Sequence, residues 1–242
     1  MASRVVAWFS CGAASAVAAK LAVTQYGHDI VEIVYCDTMQ GEHPDNQRFL
    51  NDVALWIGKG VVRIASSEFA TVEDVFAKRR YMSGPMGAPC TIELKKRPRF
   101  EFQRPDDIHI FGFTADEEKR SKQFSLNNPE INLDWIVIRN GYTKEQCLGI
   151  LKWVGIKLPA MYGLGYKNNN CLGCVKATSP KYWNMVRRDF PEVFERRISQ
   201  SRDIGTRLVR LKGKRIFLDE LPVDAMQENK DNMSCGPECG TL

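Results

Sequence analysis

Short apolar runs alternate with longer amphipathic stretches along the first 158 residues of the chain. Short β-branched runs are typical of buried strands, and apolar residues at helical spacing are typical of helices. We predict strands at 5–10, 30–36, 61–64, 108–113 and 135–138. We predict helices at 15–26, 44–57, 71–80 and 143–154. This alternation predicts βαβ units, and therefore an α/β, Rossmann-like parallel sheet with helices on both faces.

The pattern changes after Pro159. The segments predicted there are a Gly- and Asn-rich loop, a tight Cys-rich turn and two basic amphipathic helices, at 160–170, 171–174, 181–188 and 192–200. We interpret 1–158 as the α/β domain, and 159–242 as a Cys-rich helical C-terminal extension that ends in a polar tail.

The composition is that of an ordinary globular protein, with 44% hydrophobic and 26% charged residues. No apolar run approaches the roughly 18 residues of a transmembrane helix, so we expect no contact with a membrane. Residues 4–18 imitate a secretory signal, but Ser10, Cys11 and Gly12 divide them into a β-branched run and an Ala-rich helical run. We therefore interpret this stretch as strand and helix, and expect a cytoplasmic protein.

The net charge of +5 is concentrated in one part of the chain. Residues 176–215 contain twelve basic and four acidic side chains. Such a basic segment suits the phosphates of a nucleotide or of a polynucleotide, and it is equally typical of a solvated helical face.

Polar and small residues follow three of the predicted strands, at 10–15, 37–38 and 112–116. In parallel sheets, ligands bind beyond the carboxyl ends of the strands. The small side chains of 10–15 let backbone N–H groups approach an anion, and the following helix N-terminus adds its positive dipole. This edge of the sheet is therefore the predicted ligand site.

Four motifs in this order resemble the adenine nucleotide alpha-hydrolase (PP-loop) superfamily and, within it, the phosphoadenosine phosphosulfate (PAPS) reductase family, including phage-encoded members. The matching segments are Ser10–Ser15 for S-G-G-x-D-S, Asp37-Thr38 with Glu42-His43-Pro44, Cys90 with Lys95 and Pro98, and Gly112–Glu117 with Arg120. The resemblance implies an adenine-nucleotide-binding α/β domain. It assigns the nucleotide to Ser10, Cys11, Gly12, Ala13, Ala14, Ser15, Asp37, Thr38, Lys95, Gly112, Thr114, Asp116 and Arg120.

Three positions depart from the family pattern. Cys11 replaces a glycine, Ala14 replaces the aspartate of the loop, and Thr114 stands where many relatives have arginine. Without a carboxylate at 14, magnesium-assisted ATP chemistry is disfavoured more than nucleotide binding is.

Eight cysteines in a chain expected in the cytoplasm favour metal or redox chemistry over a disulfide framework. Cys171 and Cys174 form a C-x2-C pair that can supply two thiolates to one metal, and Cys90, Cys235 and Cys239 are candidates for the others. Four thiolates suit zinc or an iron–sulfur cluster.

Resemblance to the cluster-bearing adenylyl-sulfate reductases implies a [4Fe–4S] cluster on Cys90, Cys171 and Cys174, with Cys235 as our choice for the fourth ligand. Zinc, or no metal at all, stays an alternative. Cys11, Cys36 and Cys147 are interpreted as a loop residue and two core residues.

The same resemblance implies a sulfonucleotide reductase, which converts adenylyl sulfate or its 3′-phosphorylated form to sulfite. The nucleophile would be Cys239, which lies in a Glu-Cys-Gly tail segment like that of these enzymes. Thioredoxin or glutathione would then release sulfite, and the family allows a homodimer. Lys95, Arg120, the N–H groups of 10–15 and the basic segment 176–215 would neutralise the leaving phosphate.

Two other functions stay open. One is an ATP-dependent sulfur transferase of the tRNA- or DNA-thiolating type, whose nucleic-acid partner would lie along the basic segment. The other is a catalytically inactive nucleotide-sensing protein, which the departures at 11, 14 and 114 favour. Cys235 and Cys239 could also both bind metal or form a disulfide.

Overall fold

The computed structural model describes residues 3–85 and 87–229. Its centre is a five-stranded parallel sheet in the order β3-β2-β1-β4-β5. The strands are β1 (Val5–Phe9), β2 (Val31–Cys36), β3 (Val61–Ile64), β4 (Ile108–Ile110) and β5 (Asn132–Leu133). Val5 pairs with Val31 on one side and with Ile108 on the other, so the strand order reverses between β1 and β4. The predicted α/β, Rossmann-like fold is confirmed.

Eleven helices surround this sheet and continue beyond it within the described residues. They are α1 (Ala13–Tyr26), α2 (Asp45–Ile57), α3 (Val72–Arg79), α4 (Pro89–Thr91), α5 (Arg97–Phe102), α6 (Glu118–Asn127), α7 (Ile136–Arg139), α8 (Lys144–Trp153), α9 (Ala160–Gly163), α10 (Pro180–Asp189) and α11 (Pro191–Ile204). A π-helical turn, Ile92–Lys96, joins α4 to α5. An antiparallel hairpin of β6 (Val209–Leu211) and β7 (Lys214–Ile216) follows α11.

Alternate residues of β1 pack on opposite faces of the sheet, because successive strand side chains point to opposite sides. Val5 and Phe9 join the core formed with α1, α2 and α8. Val6 and Trp8 join an aromatic core on the other face, with Phe124 of α6. Helices therefore cover both faces, as predicted.

A further core joins the extension to the α/β part. It contains Phe76 of α3 and Met82 together with Trp183 of α10, Phe194 of α11 and Val209 of β6. The extension therefore shares a hydrophobic core with α3. The domain boundary between residues 158 and 159 stays an interpretation.

The strand expected at 135–138 is wrong. This run forms α7, and the fifth strand is the two-residue β5 that precedes it. Ile136 and Val137 are buried in the same core as α1, and a four-residue apolar run is too short for its period to separate strand from helix. The fourth strand also ends earlier than predicted, at Ile110 instead of 113.

The N-terminal stretch that imitates a signal forms β1 and α1, both of which lie in the core. Across the described ranges, no helix combines the length and the apolar character needed to cross a membrane.

Candidate functional site

The loop 10–15 connects β1 to α1 at the point where the strand order reverses. The Ser15 hydroxyl accepts a hydrogen bond from the Ser10 N–H at 3.1 Å and donates one to the Gly12 carbonyl at 2.9 Å, which keeps the loop tight. The N-cap residue, Gly12, has no side chain to cap the helix, and the first turn contains no acidic residue, although the Tyr162 hydroxyl faces the Ala13 N–H. The positive end of a 14-residue helix therefore faces the carboxyl edge of the sheet without a carboxylate of its own.

Gly112 brings the exit of β4 against this loop. A Cβ at Gly112 would lie 2.6 Å from the backbone nitrogen of Ser15. Only glycine allows this approach, so the loop and the β4 exit form one continuous surface, as the sequence predicts for 10–15 and 112.

Cys11 has a left-handed backbone, with φ at 54°. Its side chain is fully buried, and burial raises the pKa of the thiol well above its usual value. The thiol is therefore protonated at neutral pH and unsuited to act as a nucleophile. This agrees with the interpretation of Cys11 as a loop residue.

A buried hydrogen-bonded chain runs beneath the loop. Thr38 Oγ1 donates to Glu42 Oε1 at 2.6 Å, and Asn46 Nδ2 donates to Glu42 Oε2 at 2.7 Å. Asn169 Nδ2 donates to Asn46 Oδ1 at 2.8 Å and to the Cys11 carbonyl at 2.7 Å. Each of these four side chains exposes 7% or less of its surface. The chain joins β2, α2 and the extension to the loop, and we call it the amide chain.

Sequence reasoning missed Asn46 and Asn169 as site residues. For Asn46 a signal exists, because it lies on the buried face of α2 that Phe49, Leu50 and Val53 continue. A polar residue at an apolar position of an amphipathic helix indicates a specific partner. Asn169 lies in an irregular loop, where no periodicity marks it.

A cavity of about 370 Å³ lies beside the amide chain, at the carboxyl ends of β2 and β3. Its lining includes Asp37, Thr38, Ser66, Phe69 and Leu94. Asp37 Oδ1 accepts from the Met39 N–H at 3.1 Å, and its Oδ2 lies 3.4 Å from Arg63. The cavity is therefore apolar on one side and carries an oriented carboxylate on the other.

Three further residues of the predicted nucleotide site, Thr114, Asp116 and Arg120, form local contacts at the β4 exit. Glu117 accepts from the Thr114 N–H at 3.3 Å and pairs with Arg120 at 2.5 Å. Asp116 Oδ2 accepts from the Lys144 N–H at 2.9 Å. Thr114 therefore caps a helical turn at this exit.

Lys95 lies on a different element, the π-helical turn Ile92–Lys96. It exposes 7% of its surface, and its positive charge lowers the pKa of the Cys11 thiol, against the larger effect of burial. Its carbonyl accepts from the Cys36 thiol at 3.5 Å, which places this turn at the end of β2. Lys95 thus lies near the 10–15 loop, as the sequence resemblance implies.

A comparison with solved structures finds this architecture in the phosphoadenylyl-sulfate (PAPS) reductase from Candida auris, determined as a phosphate complex. The TM-score is 0.52 and the identity 12%, over 71% of this chain and 82% of that chain. The chain has the PAPS reductase fold. A comparison with protein-family models gives no match. A comparison with curated protein sequences gives none either.

On this PAPS reductase fold, the Cys171–Cys174 turn lies against the segment that follows β2. The Leu172 N–H donates to the Gly41 carbonyl at 2.8 Å, and the Cys174 N–H donates to the Tyr182 hydroxyl at 2.8 Å. Cys171 and Cys174 are both buried, and Cys90 is half-buried at the start of α4.

No three His, Cys, Asp or Glu side chains within 3–85 and 87–229 are grouped as metal ligands. Cys235 and Cys239 lie outside the described residues. The turn supplies two thiols, so a four-thiolate site depends on residues that the structure does not describe. The metal site therefore stays a prediction. Cys36 and Cys147 are buried core residues, as predicted.

Proposed function

We propose that the chain is a sulfonucleotide reductase-like enzyme that binds an adenine nucleotide and uses Cys239 to take over its sulfuryl group. The observation that carries this proposal is the N-terminus of α1, with glycine as its N-cap and no acidic residue in its first turn, at the strand-order reversal of a PAPS reductase fold. Phosphate groups bind at such helix ends, because the backbone N–H groups and the dipole favour negative charge there.

A second observation supports a ligand at this place. Asn169 Oδ1 is buried and accepts no hydrogen bond from the described residues. Buried acceptors normally have a partner, and a ribose hydroxyl or a bound water would supply the missing donor. The cavity beside Asp37 has a volume within the range of small-molecule sites and would take the nucleoside part.

The exit of the C-terminal tail supports a role for Cys239. Glu228 bridges Lys167 at 2.7 Å and Lys181 at 2.6 Å, and Lys167 is two residues from Asn169. Asn229 is anchored by donating to the Thr178 carbonyl at 2.9 Å. Cys239 follows ten residues later, and ten extended residues span on the order of 33 Å. The described chain therefore ends beside the segment that leads to Asn169, and ten further residues give Cys239 the length to approach the 10–15 loop.

In the proposed reaction the Cys239 thiolate attacks the sulfuryl sulfur. A bond forms between the two sulfur atoms, and the bond from sulfur to the phosphate oxygen breaks, so the nucleotide leaves with its electron pair. A thiol reductant such as thioredoxin or glutathione then attacks Cys239 Sγ. It supplies the two electrons that release sulfite, and a disulfide remains. These thiol steps need a reducing compartment such as the cytoplasm. A [4Fe–4S] cluster or zinc on Cys90, Cys171, Cys174 and Cys235 is proposed as a separate, structural element.

The experiment compares wild type with Cys239→Ser, Cys235→Ser and the tail control Ser234→Ala. Wild type incubated with adenylyl sulfate or its 3′-phosphorylated form, without reductant, should gain the mass of one SO3 group on Cys239. Sulfite release should disappear in Cys239→Ser and persist in Ser234→Ala. Iron and zinc are counted in anaerobically purified protein, and metal loss confined to Cys235→Ser supports the ligand assignment.

An unmodified Cys239 after incubation with both sulfonucleotides would contradict the proposal. Thermal stabilisation by ATP alone would then favour the sulfur transferase, because a ligand stabilises the state that it binds. Stabilisation by adenosine 3′,5′-bisphosphate without turnover would favour an inactive nucleotide-sensing protein.

A further inference from the structure

The hydrogen-bond directions in the amide chain are fixed from one end. The Glu42 carboxylate only accepts, so Asn46 must present its Nδ2 to Glu42 and its Oδ1 to Asn169. Asn169 must then present Nδ2, whose second hydrogen goes to the Cys11 carbonyl. The amide chain therefore places an N–H donor beside the Cys11 carbonyl and allows no alternative orientation of either side-chain amide.

This donor acts on the most strained backbone of the loop. Cys11 is in the left-handed region, which costs a residue with a Cβ roughly 1–2 kcal/mol. The peptide group is planar and trans, so holding the Cys11 carbonyl toward Asn169 directs the Gly12 N–H to the opposite side. Relaxation of Cys11 to a negative φ would relieve the strain, turn its carbonyl away from Asn169 and move this N–H.

Asn169 belongs to the extension, and its neighbours are bound to the same edge of the sheet. Asn168 Oδ1 accepts from Lys144 Nζ at 2.6 Å, and the Leu172 N–H donates to the Gly41 carbonyl at 2.8 Å. Residues 168–172 therefore reach the loop only when the extension is packed in place. The side chain of Asn169 transmits that packing to the loop.

We infer that Asn169 is a positioning residue. It holds Cys11 in the left-handed conformation and so couples the C-terminal extension to the anion-binding end of α1. This inference rests on the proposed function for its ligand, but its effect on the loop is independent of any ligand.

The test combines Asn169→Ala with Cys11→Gly, because glycine adopts a positive φ without the steric penalty. Amide exchange of Ser10 and Ala16, both hydrogen-bonded in the loop, is measured by NMR without ligand. The Kd of adenosine 3′,5′-bisphosphate is measured by calorimetry. Asn169→Ala should speed exchange and weaken binding about tenfold, the order expected for one lost hydrogen bond. In the Cys11→Gly background both effects should fall below about threefold.

The matched control is Asn184→Ala. Asn184 Nδ2 also donates to two carbonyls, those of Pro222 and Ala225, but both lie within the extension. Its loss should leave the exchange of Ser10 and Ala16 unchanged. Asn169→Asp, which replaces the donor without changing size, should behave like Asn169→Ala and serves if the alanine variant does not fold.

Unchanged exchange in Asn169→Ala, or equal losses with and without Cys11→Gly, would overturn the inference. If wild type binds no adenine nucleotide while the exchange results stand, the proposed function fails and the coupling of Asn169 to the loop remains.

Discussion

Among the short turns that contain a residue in the left-handed region, those at Cys11 (φ 54°) and Gly173 (φ 61°) can be compared directly. In both, a buried side chain from a distant element holds the carbonyl of that residue. Asn169 Nδ2 donates to the Cys11 carbonyl at 2.7 Å, and Arg197 Nε donates to the Gly173 carbonyl at 3.2 Å. The two turns are therefore stabilised in the same way.

They differ in what happens to the next N–H groups. In the Cys171–Cys174 turn the Cys174 N–H is taken up by the Tyr182 hydroxyl, and a Cβ at Gly173 would lie 2.8 Å from Val193 Cγ1. In the 10–15 loop the N-cap residue is Gly12, which has no side chain to take up an N–H group. The Cys171–Cys174 turn is closed by the Tyr182 hydroxyl and by packing against Val193, whereas the 10–15 loop presents N–H donors at its helix end. This difference supports the proposal that the 10–15 loop binds an anion.

The largest expected effect is that of Gly112→Ala. The new Cβ would lie 2.6 Å from the Ser15 nitrogen, and neither backbone can move without opening the loop. We expect a loss of at least about 3 kcal/mol in the free energy of unfolding, measured in urea, and loss of adenosine 3′,5′-bisphosphate binding. Gly60→Ala, where a Cβ meets nothing within 4 Å, is the control. Normal binding by Gly112→Ala protein would show that the loop does not need this contact.

Lowering the pH tests the stability of the sheet that carries the 10–15 loop. His109 of β4 is buried, accepts from Trp8 Nε1 at 3.0 Å, and has its pKa lowered from 6.5 to about 4 by burial. As the pH falls, His109 is protonated near pH 6.5 in the unfolded chain and only near pH 4 in the folded protein. The contribution of neutral His109 to the free energy of unfolding is therefore fully present above pH 6.5 and falls as the pH drops toward 4. The shift corresponds to about 3 kcal/mol.

The measurement is the free energy of unfolding in urea between pH 7 and pH 4. His109→Gln keeps an acceptor for Trp8 but does not titrate, so its stability should fall less over this range. An identical pH profile for both proteins would assign the acid sensitivity to other groups.

Sequence reasoning could predict the loop, Asp37 and Gly112, because a strand followed by small or polar residues is a local pattern. It could not predict α7, whose four-residue apolar run is too short to have a period, or β5, which has only two residues. Asn169 contacts Asn46 across 123 residues of chain. Such a pair exists only in three dimensions, and one sequence contains no signal for it. The glycine at 173 is predictable from the sequence, because it lies in a C-x2-C turn. Its contact with Val193 is not predictable.

Gly173→Ala should have a smaller effect than Gly112→Ala, because the clash is with one side-chain methyl group and not with backbone atoms. We expect a loss of about 2 kcal/mol from the left-handed backbone and the contact with Val193 together. Gly205→Ala isolates the backbone effect, since Gly205 has φ 79° and no atom within 4 Å of its Cβ position. It should lose about 1 kcal/mol. Equal losses would mean that the Cys171–Cys174 turn has room for a methyl group, which would weaken the contrast between the two turns.

The smallest effects come from a matched pair of tyrosines, and they test the contrast most directly. The Tyr182 hydroxyl accepts the Cys174 N–H, and burial raises the pKa of this phenol well above its usual value. The Tyr162 hydroxyl faces the Ala13 N–H at the start of α1. Tyr182→Phe leaves a buried donor without its partner and should cost about 1.5 kcal/mol in the free energy of unfolding. Tyr162→Phe should cost less than about 0.5 kcal/mol, because an N–H at the end of a helix can bond to water or to an anion instead.

Both variants are measured in urea at pH 7, with and without phosphate. Phosphate should stabilise the Tyr162→Phe protein at least as much as wild type, since the anion and the phenol compete for the same N–H. A cost at Tyr162 equal to that at Tyr182 would mean that the 10–15 loop is as closed as the Cys171–Cys174 turn, and the assignment of its N–H groups to a ligand would fail.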